Sequence, residues 1–213
     1  MGFPPRQDPN HQLAAFDVSR ETIEKLGLLE RELRRWQAIK NLVGPATLDR
    51  IWDRHIVDSL QLLALAPEAG TWLDLGSGAG FPGLVLAIAG LERGLQVHLV
   101  ESNSRKCAFL RHVARLTEAQ AVIHEARLET VLPGFVGNTD VVSARALAPL
   151  NQLLDWTAPL LKSGTMALFP KGRDAEIELT EARKSWTFGV EILPSRTDSE
   201  ARILRITSIE SHS

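Results

Sequence analysis

The sequence has few cysteines and no excess of either charge, and both features exclude classes of protein. Cys107 is the single cysteine among 213 residues, so neither a disulfide framework nor a multi-cysteine zinc or iron–sulfur site can form. The six histidines are scattered and none has a partner at metal-ligand spacing, so no metal site is predicted. Lys and Arg number 24 against 26 Asp and Glu, a net charge of −2. This balance excludes a protein that binds nucleic acid through overall positive charge.

Long apolar segments are also missing. The longest apolar-rich run covers residues 84–90, far fewer than the roughly 20 residues of a membrane-spanning helix. Residues 1–16 lack the apolar centre of a secretory signal. We therefore expect a cytoplasmic monomer that does not contact a membrane.

The chain divides into three predicted parts. Residues 1–17 are expected to form a flexible tail, because few of them can be buried. Residues 18–68 are predicted to form a helical cap, with one helix starting near Ser19 and a second from about Leu48 to Leu65. Residues 69–213 are predicted to form a single larger domain that holds the functional site.

The third part alternates short apolar segments with helical patterns. Such alternation is typical of βαβ units and predicts an α/β fold, with a seven-stranded, mostly parallel sheet and helices on both faces. The predicted strands cover residues 71–75, 95–100, 121–124, 140–143, 164–169, 190–193 and 202–207.

A glycine-rich loop follows the first predicted strand. Gly76, Gly78 and Gly80 lie between that strand and a helix expected to begin at Pro82, and Gly83 follows that proline. Glycines here allow a tight turn and a close approach of the backbone to a ligand. In an open α/β sheet, this carboxyl edge is where ligands bind.

The loop fits two cofactors. Gly78-x-Gly80-x-x-Gly83, with Glu101 at the end of the second strand, satisfies the dinucleotide pattern of a nicotinamide-dependent oxidoreductase. Gly76-x-Gly78-x-Gly80, with Asp74 just upstream, fits S-adenosylmethionine. Asp74 would then face the cationic groups of the cofactor and Glu101 the ribose hydroxyls. The position of Asp74 favours S-adenosylmethionine.

Two missing sequence features exclude common acceptors of the methyl group. Residues 143–149 lack the Asn/Asp-Pro-Pro-aromatic motif of many amino-group methyltransferases, and Cys107 lies in a predicted helix rather than a loop that could present a nucleophile. A ring nitrogen with a free lone pair, such as guanine N7, needs no proton removal, so alignment alone would suffice. A methyltransferase fold that binds without catalysis stays open.

An ordered set of motifs is similar to one known family. The motifs lie at residues 41–42, 54–59, 74–83, 104–110, 126–129, 143–146 and 171–172. Together they resemble the bacterial 16S ribosomal RNA guanine-N7 methyltransferases, once called glucose-inhibited division protein B. The resemblance implies a class I (Rossmann-like) methyltransferase fold, S-adenosylmethionine as cofactor, and a guanine N7 of 16S rRNA, in the small ribosomal subunit, as acceptor.

The resemblance also implies roles for individual residues. Cofactor contacts carry over to Gly76, Phe81, Leu128, Glu129 and Arg145, with Leu128 and Glu129 beside the adenine. Ala79 and Phe81 stand where other members often have Pro and Leu.

Four residues are candidates for substrate positioning or catalysis. Arg145 follows an apolar strand and can stack on a base or hold a phosphate, with a salt bridge to a nearby acid as the alternative. Lys171 is expected in a loop that faces the substrate, where it can contact a phosphate or simply be solvated. His55 and Asp58 are three residues apart and share one helix face, so they can orient a side chain toward the cofactor pocket or form an ordinary surface pair.

One segment is basic without any acid. Residues 102–117 hold Arg105, Lys106, Arg111 and Arg115 and no Asp or Glu. We call these four residues the basic strip. It is a candidate footprint for the RNA backbone, and a solvated helix face is the alternative.

Overall fold

The computed structural model describes residues 13, 16, 18–40, 42 and 45–211. The predicted tail at residues 1–17 therefore lies outside the described residues, apart from Leu13 and Phe16. Leu13 is only 2 % exposed, and Phe16 packs against the same core. These two apolar side chains therefore contact the folded domain, and the flexible tail stays a prediction for the rest of the segment.

Seven strands form one sheet in the order β3-β2-β1-β4-β5-β7-β6. The first five are parallel, and β7 runs antiparallel to both β5 and β6. The predicted α/β sheet is thus confirmed. The strands are β1 Thr71–Leu75, β2 Gln96–Glu101, β3 Ala121–Glu125, β4 Val141–Ala144, β5 Met166–Lys171, β6 Trp186–Pro194 and β7 Arg202–Ser211.

Helices cover both faces of the sheet, and each face has its own apolar core. Within the described residues, no helix is both long and apolar enough to cross a membrane. The α-helices are α1 Arg20–Lys40, α2 Asp58–Leu65, α3 Gly83–Ala89, α4 Ser104–Thr117, α5 Leu128–Val131, α6 Leu150–Lys162 and α7 Ala175–Ala182.

The N-terminal helices pack on one face of the sheet domain. Trp36 of α1 meets Phe109 of α4 edge to face, with ring centroids 5.6 Å apart. Glu32 contacts the His112 ring at 2.8 Å. Leu26, Leu29 and other α1 residues belong to the same buried cluster as the helices that cover the sheet. The predicted cap therefore shares its core with the sheet domain.

The second predicted helix, about 48–65, is divided into three pieces. A 3-10 helix covers Pro45–Arg50, a π-helix covers Trp52–Val57, and α2 follows at Asp58–Leu65. Apolar spacing alone does not distinguish these turns from a regular α-helix. Wide turns of this kind are frequent at functional sites, and this one contains His55.

Candidate active site

The first residue of the glycine loop, Gly76, lies very close to the loop that follows β4. Gly76 directly follows β1 and has a left-handed φ of 63°, a conformation that favours glycine. A Cβ at Gly76 would lie 2.5 Å from Cδ1 of Leu147, in the loop after β4. The glycine therefore allows the loops after β1 and β4 to touch.

Asp74 orders this loop from the inside. Its carboxylate has no exposure; it accepts hydrogen bonds from Ser143 Oγ at 2.8 Å and from the Gly83 N–H at 3.1 Å. Burial raises the pKa of Asp74 to about 6, and these hydrogen bonds oppose the rise. The carboxylate is thus enclosed by the protein and bonded to the start of the helix that follows the loop. The predicted contact of Asp74 with the cofactor stays a prediction.

Glu101 keeps its predicted place at the carboxyl end of β2. It is 8 % exposed, and its two oxygens accept hydrogen bonds from the N–H groups of Gly78 at 3.0 Å and Asn103 at 2.8 Å. Each carboxylate oxygen has a second lone pair, so Glu101 can still accept hydrogen bonds from a ligand beside the loop.

Leu128 and Glu129 begin α5, near the same edge of the sheet. The Ala126 N–H donates to the Glu101 carbonyl at 3.2 Å, which ties this segment to the end of β2. Leu128 is half-buried and Glu129 is exposed. Their placement beside Glu101 is compatible with the predicted adenine contacts, which stay predictions.

Three predicted residues, His55, Asp58 and Phe81, come together around the guanidinium of a fourth, Arg145. Nη1 of Arg145 donates to Nδ1 of His55 at 2.7 Å and to the Arg54 carbonyl at 3.1 Å. Oδ2 of Asp58 lies 3.7 Å from Nη1. Phe81 of the glycine loop lies beneath the guanidinium, 5.6 Å from Cζ to the ring centroid, and its ring lies 5.1 Å from that of His55.

His55 is neutral at physiological pH. Burial, followed by the charges of Arg145 and Arg54, lowers the pKa of His55 to about 4. A guanidinium can only donate hydrogen bonds, so Nδ1 of His55 is the acceptor and the ring proton is on Nε2. Arg145 is therefore held by an uncharged acceptor.

A cleft opens beside this cluster, and we call it the arginine cleft. It consists of two adjoining pockets of about 450 and 410 Å³ that share Arg54, Asp58, Arg145 and Asp198. Cavities of this size hold small ligands. Basic side chains outnumber acidic ones along the walls. The basic ones are Arg50, Arg54, Arg145, Lys171 and Arg202, and the acidic ones are Asp58, Glu178 and Asp198.

Lys171 lines the larger pocket but is not the exposed loop residue that the sequence predicts. It is the last residue of β5, and its side chain is 8 % exposed. Nζ donates to Glu178 Oε2 at 2.7 Å and to the Ala148 carbonyl at 2.9 Å. The prediction fails because β5 extends two residues beyond its predicted end, where it pairs with β7.

One residue of the basic strip is paired with an acidic side chain from a neighbouring strand. Arg111 pairs with Glu125 of β3 at 2.8 Å, and this pairing lowers the pKa of Glu125. Arg105 and Arg115 are exposed, and no acidic side chain in the described part of the chain pairs with them. A role in binding RNA stays a prediction.

The sequence-based predictions missed one wall of the arginine cleft, the loop between β6 and β7. Asp198 pairs with Arg54 at 2.6 Å, and Thr197 Oγ1 donates to Asp58 Oδ1 at 2.8 Å. Gln61, 4 % exposed, donates to Asp58 Oδ1 and accepts from the Arg196 N–H. No local motif marks these residues. Arg54, which pairs with Asp198, does lie within one of the family motifs, and this was the one indication that a partner for it should exist.

The fold is that of the class I methyltransferases. An O-methyltransferase from Bacillus cereus, solved with SAH, superposes with a TM-score of 0.61 at 15 % identity, over 94 % of this chain and 96 % of the other. The O-methyltransferase TomG from Streptomyces achromogenes, solved with SAM, gives a TM-score of 0.59 at 13 % identity, over 93 % and 95 %. At these identities the likeness defines the fold alone.

Sequence relatives define the particular family. The family described as rRNA small subunit methyltransferase G matches residues 22–202. Ribosomal RNA small subunit methyltransferase G of Methylobacterium radiotolerans is 66 % identical over 92 % of this chain and 93 % of the relative. The protein of the same name in Parvibaculum lavamentivorans is 49 % identical over 98 % and 92 %. The chain belongs to the rRNA small subunit methyltransferase G family, which confirms the resemblance and leaves the oxidoreductase alternative without support.

Proposed function

We propose that this chain transfers a methyl group from S-adenosylmethionine to N7 of a guanine in 16S ribosomal RNA. Family membership is the observation that carries the enzyme class and the RNA. The substrate would place the protein in the cytoplasm.

The residues at the carboxyl edge of the sheet fit the cofactor. The left-handed glycine turn leaves open space beside Gly78, and the Glu101 carboxylate next to it has lone pairs for ribose hydroxyls. Leu128 and Glu129 would flank the adenine. When bound, S-adenosylmethionine supplies a methyl group activated by its sulfonium centre.

The arginine cleft fits an acceptor that needs alignment rather than proton removal. N7 of guanine carries an in-plane lone pair. His55, which lines the cleft, is a poor general base, because its pKa is about 4 and its Nδ1 already accepts a hydrogen bond from Arg145. The protein's contribution is then to hold the base and exclude competing orientations. Arg145 lies over Phe81 of the glycine loop, and in this proposal it would contact both the cofactor and the RNA.

Two measurements test this proposal. Calorimetry should show binding of S-adenosylhomocysteine and none of NAD. Small subunits that lack the modification should accept a labelled methyl group, and borohydride–aniline cleavage, which is selective for N7-methylguanosine, should map it to one guanine. A folded protein that binds S-adenosylhomocysteine and transfers no methyl group would favour the non-catalytic alternative.

A further inference from the structure

A half-buried ion pair at the end of β5 lies outside the set of residues proposed to bind the cofactor. Lys171 and Glu178 line the larger pocket of the arginine cleft, and their side chains are 8 % and 25 % exposed. Buried ion pairs are weak evidence of stability, because desolvation offsets their attraction. Their position in a cleft therefore calls for a second explanation.

Each member of the pair can form one more hydrogen bond: Lys171 as a donor and Glu178 as an acceptor. Lys171 Nζ has three protons, and two are given to Glu178 and Ala148. Glu178 uses Oε2 for both Lys171 and the Leu150 N–H at 2.6 Å. Its Oε1 has no hydrogen-bond partner in the described part of the chain. A donor and an acceptor thus lie side by side at the wall of the pocket.

This arrangement disfavours the binding of a phosphate and favours the binding of a nucleobase. A phosphate next to Lys171 would also meet the negative charge of Glu178, 2.7 Å from Nζ, and this repulsion opposes its binding. The Watson–Crick edge of guanine presents an acceptor, O6, directly beside a donor, N1–H. Adenine presents the reverse order at the same two positions, so the pair distinguishes the two purines.

The pocket also has the right walls and neighbours for a base. Leu147, Pro149, Pro170 and Ile203 line it with apolar surface, which suits the flat faces of a base taken out of its stack. Leu147 lies against Gly76 of the cofactor loop. A base in this pocket would therefore lie next to the cofactor site.

We propose that Lys171 and Glu178 form the guanine-reading pair of this enzyme, with Lys171 Nζ donating to O6 and Glu178 Oε1 accepting from N1–H. The inference rests on the proposed function and adds the residues that select the base. It replaces the phosphate contact expected for Lys171 from the sequence.

A base analogue combined with an isosteric variant tests the pair. Small subunits are reconstituted with 2-aminopurine in place of the target guanine; this analogue keeps N7 and lacks O6 and N1–H. Two lost hydrogen bonds to charged groups predict that the wild type prefers guanine by about 100-fold or more in kcat/KM. In Glu178→Gln we expect this preference to fall to about tenfold or less, because the acceptor is weakened.

Controls separate base reading from folding and from the reaction itself. Glu181→Gln lies on the same helix, at a surface pair with Lys184, and should keep the wild-type preference. Lys171→Gln is a second variant that should lower the preference, and thermal melting checks that each variant is folded. If folded Glu178→Gln or Lys171→Gln keeps the wild-type preference for guanine over 2-aminopurine, the proposal that this pair reads guanine is wrong. Absence of N7 methylation by the wild type would overturn the proposed function instead.

Discussion

The hydrogen bond between His55 and Arg145 makes a specific prediction about pH and stability. His55 is neutral in the folded protein, with a pKa of about 4 against 6.5 for the free side chain. In the unfolded chain it therefore takes up a proton at a higher pH than in the folded one. The stability that depends on neutral His55 is complete above the unfolded pKa and is lost as the pH falls toward the folded pKa.

The magnitude follows from the two pKa values. Lowering the pH from about 7.5 to about 4.5 should cost the wild type about 2.5 kcal/mol through this one group. In His55→Gln the side chain cannot titrate, but its carbonyl can still accept a hydrogen bond from Arg145.

The assay is urea unfolding of both proteins at the two pH values. Both contain the same carboxylates, so the difference between their pH-dependent losses isolates His55. We expect the loss to be about 2.5 kcal/mol larger for the wild type than for His55→Gln. Equal losses would refute the assignment of a neutral His55 bound to Arg145.

Three further predictions concern neighbouring parts of the site. Glu101→Gln should weaken S-adenosylhomocysteine binding by about 10- to 100-fold in calorimetry, since charged hydrogen bonds contribute about 1.5–3 kcal/mol; unchanged affinity would contradict the ribose contact. Ser143→Ala removes the hydroxyl that joins Trp72 and Asp74 and should lower the unfolding free energy by about 2–3 kcal/mol; a loss below about 0.5 kcal/mol, the size of an ordinary surface substitution, would contradict that role. Arg54→Gln should weaken binding of small-subunit RNA and reduce its salt dependence more than Arg115→Gln, and the opposite order would favour the basic strip over the arginine cleft.

The sheet and the glycine loop were predictable because their signals are local. Alternating apolar segments locate all seven strands, and the glycines from the end of β1 to the start of α3 mark the loop without reference to the rest of the chain. Glu101 was predictable for the same reason, since it ends a strand whose neighbour carries the loop.

The electrostatics of the site were not predictable, because they depend on contacts between distant segments. Asp74 reads as a ligand-facing acid, and only the fold encloses it between Ser143 and the start of α3. Arg111 reads as part of an acid-free helix, and Glu125 reaches it from β3. The pairing of Lys171 with Glu178 requires the turn between β5 and α7.

The irregular turn at Trp52–Val57 shows a further limit of sequence patterns. The spacing of His55 and Asp58 predicts a shared helix face, and both residues do reach Arg145. They do so across a junction between a π-helix and α2, which the apolar pattern cannot reveal. The two side chains therefore do face the same group, although the predicted regular helix is wrong.

Mapping the methylated base shows whether this protein transfers a methyl group to guanine N7 in 16S rRNA. Small subunits that lack the modification are incubated with the protein and labelled S-adenosylmethionine, and the RNA is then treated with borohydride and aniline. We expect cleavage at a single guanine, and only when both protein and cofactor are present. A methyl group on another atom or another base would refute N7 methylation by this protein.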